Sequence, residues 1–82
     1  MAWTEQNDQL TATFEFENFV DAFAFMTAVA FQAEAQQHHP EWTNVYNKVT
    51  VRLSTHDAGN TVTEKDHQLA RSIDEVYQKF RR

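Results

Sequence analysis

The spacing of apolar residues changes abruptly near residue 18, and this change constrains the fold more than any other feature of the sequence. Between Leu10 and Phe16, apolar and polar side chains alternate, which predicts a strand with one buried face. From residue 19 onward, apolar residues recur at helical spacing, and Asn18 before them is a favourable N-cap. We therefore predict a half-buried strand that leads directly into a helix over residues 19–37.

The predicted helix carries more apolar residues than one face can hold. One set at helical spacing consists of Phe19, Phe23, Met26, Ala30 and Phe31, and the other apolar positions are Val20, Ala24, Phe25, Ala28, Val29 and Ala33. A small sheet covers only one side of a helix, so we expect a second apolar surface to be buried between subunits. In a chain of 82 residues, self-association would also add to the small amount of surface that one core can bury.

A proline closes this helix, and a pair of strands follows it. Pro40 excludes the residue before it, His39, from the helical region of backbone conformation, so the helix ends beside two adjacent histidines. Residues 41–55 are rich in β-branched and aromatic side chains, with Asn44 and Asn47 as turn formers. This pattern predicts two strands joined by a tight turn and followed by a loop that contains the only glycine.

A second helix is predicted to start after Thr63. Thr63 is a favourable N-cap, and Glu64 and Asp66 place carboxylates in the first turn, where the positive end of the helix dipole favours them. One apolar stripe runs along this helix and consists of Leu69, Ala70, Ile73, Val76, Tyr77 and Phe80. The element order predicts a single α+β domain over residues 1–82, a two-layer sandwich in which helices cover one face of an antiparallel sheet.

Composition argues against several classes of function. The net charge is −5 and the only adjacent basic pair is Arg81 and Arg82, which disfavours nucleic acid as a partner. No apolar run reaches the roughly 20 residues of a membrane span, and the first ten residues lack the basic and apolar segments of a secretion signal. Without cysteine, disulfides and thiolate metal sites are not available. We expect a cytoplasmic protein that binds neither nucleic acid nor membrane.

Histidines are concentrated at the ends of predicted elements. His38 and His39 occupy the helix C-terminus, and His56 follows the second strand of the pair. If the helix continues to residue 38, Glu34 lies on the same face as His38, and a neighbouring carboxylate favours the protonated ring. We expect His38 to exchange protons near neutral pH, and we expect His67 to be an ordinary surface residue.

Three imidazoles also form a ligand set for catalytic zinc. Here, however, adjacent side chains at a chain end diverge and no cysteine joins them, so acid–base chemistry is the stronger interpretation. Trp42 is interpreted first as a core or interface residue and Trp3 first as a tether for the N-terminal segment, and each is interpreted second as a wall for a flat ligand.

The segment HHPEWTNVYNKVTVRLSTHDAG, residues 38–59, resembles the pterin-4a-carbinolamine dehydratase family, and FVDAFAFMTAVAFQAEA, residues 19–35, matches the helix that precedes this motif in the family. The resemblance extends from Trp3 to Tyr77. It implies an α+β fold assembled as homodimers or homotetramers. It also implies a lyase that works without metal or cofactor: it dehydrates 4a-hydroxytetrahydropterin to quinonoid dihydropterin and so recycles the pterin cofactor of aromatic amino acid hydroxylases.

This reaction requires an acid and a base. Hydroxide leaves C4a only with a proton on the departing oxygen, and the N5 proton must be removed. The resemblance gives these tasks to His38 and His56 without deciding which is the acid, and it makes His39 a further contact to the substrate.

The resemblance also implies a pocket for the pterin. The residues that we assign to pterin binding are Glu34, Gln37, Pro40, Trp42, Ser54, Thr55 and Trp3. Gln37 departs from the family pattern, which has an acidic residue or asparagine there. Its amide can hydrogen-bond a ring but adds no charge.

Two other functions stay open. Some members of this family resemble dual-purpose proteins that also bind the helical dimerisation segment of a transcription factor, and the apolar excess of the first helix is compatible with such a partner. Alternatively, the pocket serves molybdopterin or folate-related metabolism. The sequence specifies neither the pterin side chain nor the choice between dimer and tetramer.

Overall fold

A computed structural model of the chain describes residues 3–80. Its elements are β1 (Thr4–Gln6), β2 (Gln9–Glu15), α1 (Phe19–Gln36), β3 (Glu41–Val45), β4 (Lys48–Leu53) and α2 (Glu64–Gln78). All strand pairs are antiparallel, and the order across the sheet is β1-β2-β4-β3. This architecture confirms the predicted α+β class. The basic pair Arg81 and Arg82 lies outside the described residues.

The two central strands place apolar side chains on one face of the sheet. The buried residues of β2 are Leu10, Ala12 and Phe14, and they pair with Leu53, Val51 and Val49 of β4. The ring of Phe14 packs against Phe25 of α1 and Tyr77 of α2, with ring centroids 5.1 Å and 4.8 Å apart. The core therefore lies between this face and the two helices, and the predicted alternation in both strands is confirmed.

Helix α1 uses only one of its apolar sides for the core. The residues facing the core are Ala22, Phe25, Val29 and Ala33, each no more than 2% exposed. The exposed apolar stripe, as we name it, consists of Phe19, Val20, Phe23 and Phe31, which are 47–73% exposed. The sequence predicted apolar surface in excess of the core, and the structure shows it. Its burial between subunits stays a prediction.

Both predicted N-caps are present. The Asn18 Oδ1 atom accepts from the Asp21 N–H at 2.8 Å, and Thr63 and Asp66 form a reciprocal capping box at the start of α2. The apolar stripe of α2 is also confirmed, because its members are buried or packed against the core. Within residues 3–80, neither helix is long and apolar enough to cross a membrane.

The sequence did not predict strand β1. This strand lies at the sheet edge with all three residues exposed, so no apolar alternation marks it. Asn7 and Asp8 have φ angles of 55° and 61° and form the two-residue turn into β2. The segment predicted as a loop after β4 also contains a short 3-10 turn over His56–Ala58.

Phe25→Ala is expected to lower the free energy of unfolding by about 3–5 kcal/mol, because it leaves a cavity in the core. As a control, Phe31→Ala truncates a ring that is 73% exposed, and it should change that free energy by less than about 1 kcal/mol in the single chain. Urea unfolding followed by circular dichroism, at dilutions where the chain is monomeric, measures both values. Equal losses would contradict the assignment of the two faces of α1.

Candidate active site

Three segments meet at one end of the sandwich: the C-terminus of α1, the end of β4 and the start of α2. They line an open cavity of about 240 Å³, which we name the histidine cavity. Its lining residues are Gln37, His38, His39, Ser54, Thr55, His56, Asp57 and Lys65. The structure thus brings together six of the residues assigned from the sequence, and it adds Asp57 and Lys65, which the sequence did not indicate.

The end of α1 determines where the adjacent histidines point. Gln37 adopts a left-handed conformation with a φ of 52°. Its N–H donates to the Glu34 carbonyl at 3.2 Å, and the His38 N–H donates to the Ala33 carbonyl at 3.0 Å. This pair of bonds closes the helix as a Schellman motif, and Pro40 prevents its continuation. The chain therefore leaves the helix before His38.

The expected contact between Glu34 and His38 is wrong, because α1 ends at Gln36 and His38 does not lie on its face. Glu34 instead binds His39, whose Nε2 lies 3.0 Å from Glu34 Oε1. The hydrogen bond from His39, together with the charge of its ring, lowers the pKa of Glu34. Both side chains are mostly exposed, so solvent screens this pair.

His38 binds Asp66 at the start of α2. Its Nε2 lies 2.5 Å from Asp66 Oδ1, and the side chains of His38 and Asp66 are 11% and 0% exposed. The other oxygen of Asp66 accepts from the Thr55 hydroxyl at 2.7 Å and from the Thr63 N–H at 2.8 Å. One carboxylate therefore caps α2 and orients a ring of the histidine cavity.

Opposing effects determine the pKa of Asp66. Burial raises it, because the charged form loses hydration. Hydrogen bonds from His38, the Thr63 N–H and the Thr55 hydroxyl lower it and outweigh burial, so that the pKa of Asp66 lies below its usual value. Asp66 is therefore ionised at neutral pH.

An oxygen partner determines which nitrogen of each histidine carries a hydrogen. Carboxylates only accept, so Nε2 of His38 and Nε2 of His39 donate to their carboxylate partners. The Nδ1 atom of His56 lies 3.1 Å from the amide oxygen of Asn60 and donates to it. The second nitrogen of each neutral ring is left as a proton acceptor.

Thr55 is committed to this network. Its hydroxyl donates to Asp66 and lies 2.6 Å from the Thr63 hydroxyl, while its N–H and carbonyl bind the loop after β4. Ser54 lies in the same wall, and its hydroxyl makes no hydrogen bond with any other residue of the described range. Ser54 is therefore the hydroxyl group that remains available to a ligand.

The two tryptophans each pack against the core. Trp3 Nε1 donates to Asp74 at 2.9 Å, and the Trp3 ring meets the edge of Phe14 with centroids 5.8 Å apart. Trp42 pairs with Val51 across β3 and β4 and is partly buried against the core. Neither lines the cavity. The assignment of these two residues to pterin binding stays a prediction.

Pro40 and Glu34 adjoin the histidine cavity without lining it. Pro40 follows His39 in the chain, and Glu34 binds the His39 ring. The fourth histidine, His67, is exposed on α2 and lies outside the cavity. In residues 3–80, no group of three or more His, Cys, Asp or Glu side chains is arranged to hold a metal ion.

Besides Asp57 and Lys65, sequence reasoning also missed Asp66 as a site residue. In the sequence it is a first-turn carboxylate of a helix, and its spacing from Thr63 predicts no more than a capping box. Its contact with His38 joins residues 28 positions apart. Only the packing of α2 against the end of α1 creates that contact.

Comparison with known proteins connects this geometry to one family. The sequence model of the family described as Pterin 4 alpha carbinolamine dehydratase matches residues 1–76. Relatives from Christiangramia forsetii and Opitutus terrae, both provisionally named pterin-4-alpha-carbinolamine dehydratase, are 54% and 53% identical to this chain over 74 residues. These matches cover 90% of this chain and 75% and 76% of the two relatives.

Two solved structures are also similar. The transcriptional coactivator/pterin dehydratase from Brucella melitensis is 41% identical with a TM-score of 0.88, over 93% of this chain and 82% of its own. A pterin dehydratase-like protein, identified as a RuBisCO assembly factor in the alpha-carboxysome, has a TM-score of 0.79 over 94% of this chain and 90% of its own. At 24% identity the second likeness supports the fold alone.

Asp66→Asn is expected to lower the free energy of unfolding by about 3 kcal/mol near neutral pH, because it removes the buried negative charge paired with His38 and replaces one acceptor oxygen with an NH₂ donor. The pKa of Asp66 is lowered in the folded chain, so its ionised form contributes stability above the unfolded-state pKa of about 3.9. This contribution is lost as pH falls through the folded-state value. The stability gap between wild type and variant should therefore narrow between about pH 5 and pH 2.

Urea unfolding at a series of pH values measures this gap. Glu75→Gln, at an exposed carboxylate of the same helix, is the matched control and should leave stability nearly unchanged at neutral pH. If the difference in free energy of unfolding between wild type and Asp66→Asn stays constant down to about pH 2, the role of the ionised carboxylate would be contradicted.

Proposed function

Because the chain belongs to the pterin-4-alpha-carbinolamine dehydratase family, we propose that it removes water from 4a-hydroxytetrahydropterin to form quinonoid dihydropterin. The observation that carries this proposal is the histidine cavity, where His38, His39 and His56 meet from separate segments. The reaction would return the cofactor of aromatic amino acid hydroxylases to its cycle. The chain's part is to bind the pterin and to move two protons.

The reaction breaks the C4a–O bond and the N5–H bond. The hydroxyl leaves as water after it receives a proton, and the electron pair of the N5–H bond forms the C4a=N5 double bond. No electrons are gained or lost overall. One group must therefore donate a proton while another accepts one. Imidazoles suit both tasks because they titrate near neutral pH.

The surroundings of His38 favour the role of base. Its Nε2–H is bound to ionised Asp66, which stabilises the ring when Nδ1 gains a proton and the ring becomes positive. Asp66 is itself held by two further donors, so the ring orientation exists before the substrate binds. We assign to His38 the removal of the N5 proton.

The surroundings of His56 favour the role of acid. Its Nδ1–H donates to the neutral amide oxygen of Asn60. When the ring is positively charged, it carries a second proton on Nε2, which no carboxylate holds and which it can give to the departing hydroxyl. The ring is exposed on the 3-10 turn after β4, where the departing water reaches solvent. His39, paired with Glu34 at the surface, is left to contact the substrate.

The edge of the pterin presents amide and amino groups, which need polar partners at fixed positions. We assign this task to Gln37 and Ser54, which line the cavity. Thr55 acts instead through its hydrogen bond to Asp66.

His38→Ala and His56→Ala are each expected to lower kcat/KM by about 10²- to 10⁴-fold, because each removes one proton transfer. The decay of 4a-hydroxytetrahydropterin, generated in the cuvette, measures the rate. His67→Ala, outside the histidine cavity, is the control and should retain wild-type activity. A wild type that does not accelerate the decay, or histidine variants as fast as wild type, would reject the dehydratase proposal.

The pH dependence of the same rates separates the two roles. If His38 is the base, His38→Ala abolishes the acidic limb of the kcat/KM profile, and His56→Ala abolishes the alkaline limb. The opposite pattern would reverse the two assignments and leave the dehydration itself in place.

We also propose that the exposed apolar stripe of α1 packs against another copy of the chain, in a homodimer or homotetramer. The stripe leaves three phenylalanine rings and one valine largely in solvent, and burial of each contributes about 1.5–3 kcal/mol. A foreign helix with apolar residues at matching spacing is the second candidate occupant. We consider a foreign helix because a similar protein is named a transcriptional coactivator as well as a pterin dehydratase.

Phe31→Glu places a charge in the stripe and is expected to weaken self-association by about tenfold or more. Gln32→Glu adds the same charge at the next position of α1, outside the stripe, and should leave assembly unchanged. Sedimentation equilibrium over a concentration series measures both. A wild type that is strictly monomeric at micromolar concentration would reject self-association and favour the foreign helix.

A further inference from the structure

A chain of hydroxyl groups connects the start of α2 to Asp66. The Thr55 Oγ1 atom lies 2.7 Å from Asp66 Oδ2 and 2.6 Å from Thr63 Oγ1. Thr63 Oγ1 in turn accepts from the Lys65 N–H at 3.3 Å. Thr55 is buried and Thr63 is half-buried. The chain ends at the carboxylate that binds His38.

The charge of Asp66 determines the direction of each hydrogen bond. An ionised carboxylate only accepts, so the single hydroxyl hydrogen of Thr55 is used on Asp66. Thr55 must then accept from Thr63, whose oxygen already accepts from a backbone N–H. Both hydroxyls therefore donate toward Asp66, and such successive donation strengthens each bond.

These donors weaken the attraction of Asp66 for the ring of His38. Each hydrogen bond to Oδ2 draws negative charge away from Oδ1, which holds the His38 ring. A carboxylate without such donors would bind the positively charged ring more strongly. The loss of these donors would therefore favour the protonated ring, which has no free nitrogen to accept the N5 proton.

We propose that Thr55 and Thr63 are positioning residues that adjust the proton affinity of His38 through Asp66. Thr63 lies outside the histidine cavity, and the Thr55 hydroxyl is committed to Asp66. The role of this hydroxyl chain in turnover rests on the proposed function of His38 as the base. The same hydroxyl that caps α2 thereby contributes to the proton affinity of the site.

Other charged groups around His38 do not replace this arrangement. The ionisable residues on the neighbouring segments are Glu34, His39, His56, Asp57, Glu64 and Lys65, and all are exposed. Water and salt screen exposed charges, and His38 is bonded to none of them in the described part of the chain. Asp66 is buried and in direct contact with His38. A change in the charge on Asp66 is therefore screened least by water and salt before it affects the His38 ring.

An NMR titration of the His38 ring in the full chain tests this proposal. Thr55→Val removes the hydroxyl at nearly constant volume and is expected to raise the midpoint of the His38 titration by about 0.5 pH unit, and Thr63→Val should raise it by less. Thr55→Ser and Thr63→Ser keep the hydroxyls and should restore the wild-type midpoint. Asp66→Asn should move the midpoint in the opposite direction.

Thr61→Val is the matched control, since the Thr61 hydroxyl makes no hydrogen bond within residues 3–80. A midpoint of the His38 titration that is unchanged or lowered in Thr55→Val would overturn the proposal. If Thr63→Val does not fold, the result for Thr55→Val is sufficient for the test. In the active enzyme, the acidic limb of kcat/KM should move to higher pH in both valine variants. The titration needs no turnover, so an inactive wild type would reject the proposed reaction and leave this test valid.

Discussion

The buried carboxylate of Asp66 is the interaction on which the site depends. Within residues 3–80, Asp66 is the one charged residue that is buried. A charge without water is tolerated only when neighbouring groups replace its hydration, and here the donors come from His38, Thr55 and Thr63. The end of α1, the end of β4 and the start of α2 therefore come together around one anion.

Two features of the fold hold these segments in place around Asp66. Strand β4 pairs with a strand on each side, so the segment that follows it leaves the sheet from a firmly held position. Helix α1 ends in a Schellman motif, which turns the chain toward α2 within two residues. The helices and strands fix the positions of the segments that carry the histidines, and the short irregular segments after α1 and β4 orient the imidazole rings.

The three histidines of the site have different hydrogen-bond partners, and these partners give their imidazole rings different chemistry. One ring faces a buried carboxylate, one an exposed carboxylate and one a neutral amide. Environments that separate the proton affinities of like groups are a general way to obtain an acid and a base from them. In the proposed reaction, these different partners determine that His38 accepts a proton and that His56 donates one.

Local features of this protein were predictable from the sequence because they depend on neighbouring residues only. The alternation in β2 and β4 and the caps at Asn18 and Thr63 belong to this class. Strand β1 escaped prediction because it is an exposed edge strand, defined by its pairing with β2 and not by apolar alternation.

The sequence by itself determined the α+β class, the helix and strand periods and the placement of histidines at element ends. The tertiary structure decided which apolar side of α1 meets the core, since both sides are apolar and only packing distinguishes them. It also decided that the partner of His38 is Asp66 and not Glu34. A contact between residues 28 positions apart depends on how three segments converge, and no periodicity along the chain encodes that convergence.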